Sequence, residues 1–328
     1  MKNFYALFLC LIVVGLFFVN ADAQPKRPKK IYEPLTIEQS HELQTILTNA
    51  VDATINSFMP KKINPDFIAA TLIDLRDAEN LRMANYRGNQ PIYPASVVKM
   101  FYMTMLEQLL ENGKVKLTPE LERGLRDMIV DSSNEATQYI LDVLTDTSSG
   151  GELAPKEFKV WSYKRNEVNR YFTNLGYENI NVNQKTFCED AYGREQQFRN
   201  YKGEGKNRNM LTTDATARLL TEIVLGKIVT PERSSQMMNL MKRDFSGTTT
   251  DNDDQAHGFT GIALIDRKMT DAKLWSKAGW TSKTRHDVAY IETPDGRKFV
   301  IVVFTENMAN ERDIIPGIVG RVLDNLQR

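Results

Sequence analysis

Cysteine and histidine are scarce: the 328-residue chain holds two of the former and three of the latter. Such isolated residues exclude a disulfide scaffold and do not supply the ligand clusters of a structural zinc site. Charge of one sign is also missing, with 42 Lys+Arg against 42 Asp+Glu. That balance excludes the basic face that nucleic-acid phosphates demand. The chain has no Gly-x-Ser-x-Gly elbow, no phosphate-cradling glycine loop and no His-Glu-x-x-His. The common serine-triad, nucleotide and zinc-protease signatures are therefore absent.

The one long hydrophobic run lies at the start, where Lys2 precedes an uncharged stretch from Phe4 to Val19, followed by Asn20-Ala21-Asp22-Ala23. A basic residue, a short apolar run and small residues at the cleavage positions read as a secretory signal peptide cut after Ala23. The run is shorter than the roughly 20 residues of a spanning helix. The expected location is periplasmic or secreted, with no stable membrane span after cleavage. Cys10 leaves with the leader, so Cys188 stays alone and is expected to be buried. Residues 24–35, with three prolines and four basic residues, read as an extended linker.

Beyond the linker, periodicity predicts a helix over 36–58, a strand over 67–75 and a hairpin partner over 81–86. A helical block follows from Ser96. Its first helix has a broad apolar face of Val97, Met100, Phe101, Met105 and Leu106 and closes at Gly113. Thr118-Pro119 and Thr230-Pro231 are helix-start signals. Phe158, Trp161, Val168, Phe172 and Leu175 predict one further helix, with the aromatic stripe as core. Strands return at 272–280, 288–292 and 299–305, and a helix over 312–326 ends the chain. The expected architecture is an α/β sheet domain from 36–95 and 256–328, with an all-α domain of 96–255 inserted between its halves.

Within this frame three short motifs occur in order: Ser96-Val97-Val98-Lys99 opening the apolar helix, Ser132-Ser133-Asn134 before another helix, and Lys277-Ala278-Gly279 on the first returning strand. About one Ser-x-x-Lys is expected by chance in a chain of this composition, so position carries the weight. Ser and Lys three apart share a helix face, and the first turn presents unpaired N–H groups. A lysine in a dry site can lose its proton and act as base toward the serine. Ser-x-Asn at a helix start also has a plain capping role.

Together the three motifs resemble those of the penicillin-recognising serine hydrolases, the class A β-lactamases and penicillin-binding proteins. The resemblance implies the β-lactamase/transpeptidase fold, no metal or other cofactor, and a small β-lactam or a peptidoglycan stem peptide as partner of a monomer. It implies Ser96 as the acylated nucleophile, Lys99 as its base and Ser132 as proton relay to the leaving nitrogen. Asn134 would hold the substrate's side-chain carbonyl, and Lys277 would support the proton network and the substrate carboxylate. Gly279 and Trp280 would line the site, the Ser96 and Trp280 N–H groups forming an oxyanion hole. Arg285 would grip the carboxylate.

The chain also departs from the pattern. Ser133 stands where class A enzymes usually carry Asp, and Ala278 where the family has Thr or Ser; Thr281 or Ser282 could replace that hydroxyl. Ser96 and Ser132 are only 36 positions apart, fewer than class A enzymes normally use. Residues 145–183 look like an added segment. A class A enzyme also needs a loop glutamate to activate water against the acyl-enzyme. Its distance from Thr212 nominates Glu195, with Glu189 second. The expected activity is β-lactam hydrolysis through a Ser96 acyl-enzyme. The same residues leave open a D-Ala-D-Ala peptidase, or a binding or sensing protein that is acylated but never released.

Overall fold

The computed structural model describes residues 32–187, 190–203 and 205–327. The expected leader, most of the expected linker, Cys188 and Glu189 lie outside them. Seven strands form one sheet: β1 (Glu38–Gln39), β2 (Ile68–Asp74), β3 (Arg82–Tyr86), β4 (Lys242–Arg243), β5 (Lys273–Trp280), β6 (Arg285–Glu292) and β7 (Lys298–Thr305). Their order is β1-β3-β2-β7-β6-β5-β4. All neighbours pair antiparallel except β1 and β3. Both edges are two-residue strands, too short to template another chain.

The central strand β7 shows why the sheet sits between two helical layers. Phe299, Ile301 and Val303 pack with Leu43, Val51, Ile318 and Val322 of the terminal helices His41–Ser57 and Ile314–Asn325. Val300, Val302 and Phe304 pack on the opposite side with Leu219, Leu220 and Ile223 of helix Thr213–Val224. Alternating Cβ directions divide one apolar run between two cores. Each of these side chains is at most 1% exposed, so each contributes about 1.5–3 kcal/mol of hydrophobic stabilisation. The mixed α/β class of the sequence reading holds, and the two short edge strands β1 and β4 add to the strands it expected.

Several boundaries differ. The first helix begins at His41, because the Ser40 hydroxyl accepts from Leu43 N and caps it; Glu38–Gln39 instead pairs with Arg82–Met83. The helix predicted through Phe158 and Phe172 is two, Pro155–Arg165 and Glu167–Asn174. At the break Asn166 Oδ1 accepts from Asn169 and Asn183. The aromatic stripe divides accordingly: Trp161 packs on Phe198, with ring centres 5.5 Å apart, and Phe172 on Phe101 at 4.8 Å. β6 starts at Arg285 rather than 288; Arg285, His286 and Asp287 are polar yet buried in the sheet.

Candidate active site

Helix Lys99–Glu111 runs through the larger core with Met100, Phe101, Tyr102, Met103, Met105 and Leu106 all buried. A helix apolar on nearly every side becomes a fixed central element. Its N-terminus is thereby a rigid platform for Ser96 and Lys99. The chain enters through a 3-10 turn, Ala95–Val98, with Ala95 at φ +46°. Left-handed backbone at a residue with a Cβ is strained and survives where the surroundings impose it.

Gly279 of β5 makes that position possible. A Cβ there would lie 2.8 Å from Pro94 O, 2.8 Å from Ser96 N and 2.9 Å from Val97 N. Only glycine lets the strand approach the start of the Ser96 turn so closely. This contact sets the Ser96 N–H beside the end of β5, where Trp280 follows.

The second motif lies between helices Pro119–Ile129 and Asn134–Thr145. Ser133 caps the latter, its hydroxyl accepting from Ala136 N at 3.0 Å, so the capping role belongs to the middle serine. Ser132 is at φ +59°, a conformation that turns it inward. Lys99 Nζ donates to Ser132 O at 2.5 Å, Asn134 Oδ1 at 2.9 Å and Ser132 Oγ at 3.3 Å. Lys277 Nζ approaches the same hydroxyl at 2.9 Å. Ser132 Oγ thus lies between two fully buried amines. Burial, and then the charges of Lys99 and Arg243, hold Lys277 well below the usual lysine range. Asp287, on the neighbouring strand, is pushed up to about 6 by burial.

The structure therefore gathers Ser96, Lys99, Ser132, Asn134, Lys277 and Gly279. Trp280 stands at the rim, 37% exposed, beside Phe259. Arg285 is placed differently. It is 2% exposed and donates to Asp253 Oδ1 at 2.8 Å, Asn252 O at 3.1 Å and Gly258 O at 2.5 Å, over the face of Phe259. Its charge is neutralised by Asp253, so it fastens the 252–258 loop instead of presenting a free guanidinium.

Glu195 is not brought to the Ser96 group by any hydrogen bond among the described residues. Its carboxylate takes two bonds from Arg165, at 3.0 and 2.9 Å, and one from Ser149 at 2.8 Å, with Lys185 Nζ at 3.6 Å. Arg165 and Lys185 also hold Asp142. This buried cluster clamps residues 149–165 onto helix Gly193–Asn200. Breaking a buried pair leaves an uncompensated charge, so Glu195→Gln is expected to cost about 3 kcal/mol in urea denaturation. The lifetime of any Ser96 adduct should stay unchanged. A longer-lived adduct at unaltered stability would return Glu195 to the water-activating role.

The family model for the beta-lactamase enzyme family matches residues 50–325. The chain belongs to that family. A β-lactamase from Sphaerobacter thermophilus superposes with TM-score 0.59 at 18% identity, over 85% of this chain and 96% of the other. PBP-A superposes at 0.56 and 17%, over 90% and 99%. The TLA-1 extended-spectrum β-lactamase gives 0.59 and 15%, over 86% and 99%. A mutant of PBP-A is known as an acyl-enzyme complex with penicillin G. No curated protein matches the sequence. The likeness to these structures is one of fold.

Gln255 and Arg243 went unread in the sequence. Gln255 Oε1 accepts from Lys277 Nζ at 2.7 Å, and Arg243 donates to Ser276 O at 2.9 Å. Gln255 ends a polar loop and Arg243 sits at a sheet edge, and neither belongs to a local motif. Only the folding of the loop over β5 brings them to Lys277.

Among the described residues no helix is long and apolar enough to cross a membrane.

Proposed function

We propose that this family member is an exported serine hydrolase that opens the β-lactam ring through an acyl-enzyme on Ser96. The observation that carries the reading is the Ser132 hydroxyl, set 2.9 Å from Lys277 Nζ and 3.3 Å from Lys99 Nζ, with Lys99 one turn from Ser96. In the reaction Ser96 Oγ attacks the lactam carbonyl and Lys99, in its neutral form, takes the hydroxyl proton. The N–H groups of Ser96 and Trp280 receive the oxyanion, held ready by the Gly279 contact. As the C–N bond breaks, Ser132 gives its proton to the nitrogen and regains one from Lys99, which returns to neutrality. Asn134 spends its Oδ1 on Lys99, which leaves its NH2 to donate to a substrate carbonyl.

The burial of Glu195 among Arg165, Ser149 and Lys185 favours a second reading, a penicillin-binding D-Ala-D-Ala peptidase whose β-lactam ester is long-lived. One experiment separates the two. The purified protein is mixed with a chromogenic cephalosporin, and colour and intact mass are followed together. Continued turnover supports the hydrolase. A stable one-to-one adduct, with D-Ala released from a peptidoglycan stem peptide, supports the second reading. Neither adduct nor turnover with any β-lactam would overturn both.

A further inference from the structure

We propose that Gln255 is a positioning residue that holds Lys277 on the Ser132 hydroxyl so that the serine proton faces the substrate. The proposal rests on the acylation chemistry above and adds to it a residue from outside the three motifs. Gln255 is 7% exposed and reaches both halves of the site. Its Oε1 accepts from Lys277 Nζ at 2.7 Å, Ala278 N at 3.2 Å and Arg243 Nη2 at 3.3 Å. Its Nε2 donates to Val130 O at 2.8 Å and Ile129 O at 3.3 Å, the carbonyls just ahead of Ser132. One planar amide thereby joins β5 to the turn that carries Ser132.

The hydrogen inventory shows what this does. Lys277 Nζ has three acceptors, Ser132 Oγ at 2.9 Å, Gln255 Oε1 at 2.7 Å and Ala278 O at 2.8 Å. Three acceptors use all three N–H bonds of an ammonium. Ser132 then accepts from Lys277 and, once Lys99 has taken the Ser96 proton and donates to the same oxygen, from Lys99 as well, so that its own O–H points at the leaving nitrogen. A neutral Lys277 would instead accept from the Ser132 hydroxyl and turn that proton away. The groups facing Lys277 are Lys99 from its helix, Arg243 from β4 and Asp287 from β6; Asp254 and Asp131 in turn face Arg243. Burial and the two cations work against the ammonium. The Gln255 oxygen, like Ala278 O, favours it. A carboxylate would favour it more but could not donate to the Ile129 and Val130 carbonyls; an alkyl group would do neither.

The test compares wild type, Gln255→Leu and Gln255→Glu. Ser96 acylation by a fluorescent penicillin is timed against pH, and Lys277 is titrated by NMR in protein labelled with [ε-13C]lysine, without any β-lactam. The alkaline limb of the acylation profile and the Lys277 titration should both move down by about one pH unit in Gln255→Leu and up in Gln255→Glu. Opposite shifts are not what a general loosening of the fold produces. If Lys277 titrates alike in all the proteins that fold, the positioning role of Gln255 is overturned, whatever the acylation rates. If the wild type takes no penicillin while Lys277 still moves in opposite directions, the positioning stands and the acylation chemistry falls.

Discussion

Ser96→Ala should take no covalent penicillin adduct and lose about a millionfold in any β-lactam turnover, the scale seen when a serine nucleophile is removed. The fold should survive. Ser96 is only partly buried, and the change removes one hydroxyl without touching the backbone of the Ala95–Val98 turn, so unfolding free energy should stay within about 1 kcal/mol. Intact-mass spectrometry after incubation with penicillin, beside a urea melt, reads both. An adduct that persists in Ser96→Ala would move the nucleophile elsewhere. The other hydroxyl at the site, Ser132, lies between two amines and would be the first to examine.

The second large effect is expected at Gly279. An alanine Cβ would sit 2.8 Å from Pro94 O and Ser96 N and 2.9 Å from Val97 N. These are all backbone atoms, with no flexible side chain to yield. β5 cannot retreat freely, because it is paired with β6 along its length and with β4 at its start. The Ser96 turn must therefore shift by several tenths of an ångström, and the oxyanion donors shift with it. Overpacking of this kind costs about 1–3 kcal/mol. The loss of alignment should slow acylation at least about tenfold and at most about a hundredfold, the latter being the cost of a misplacement by about 1 Å. The measurement is the second-order rate of penicillin labelling of Gly279→Ala at a temperature where circular dichroism shows it folded. An unaltered rate would mean that the contact does not align the site.

Much of this arrangement is legible in one dimension because its parts are local. Ser96 and Lys99 share one helical turn, Ser132 and Asn134 flank a helix start, and Lys277 and Gly279 lie on one strand, so each motif survives as a short spacing. The capping role was legible but falls on another residue: Ser132 and Asn134 both suit a helix cap in sequence, and the bond to Ala136 N gives that role to Ser133 between them. Arg285 and Glu195 were unreadable for a different reason. Charged residues in a loop or near a strand end look solvated in sequence. The structure buries both, Arg285 on Asp253 and Glu195 on Arg165, because helix Pro155–Arg165 and the 252–258 loop bring charges of opposite sign against them.

The sequence alone determined the order of elements, the apolar run of β7 and the three motifs, because propensity, periodicity and turn chemistry act over a few residues. Only the tertiary structure decided which polar groups meet. Lys99 and Lys277 are 178 positions apart, yet both reach one serine hydroxyl. Gln255 bonds to residues on both sides of that hydroxyl, and Glu195 is tied to Ser149 and Arg165. Such meetings depend on where the sheet and the central helix pack against each other, and burial then dictates that every charge brought inside must find a partner there.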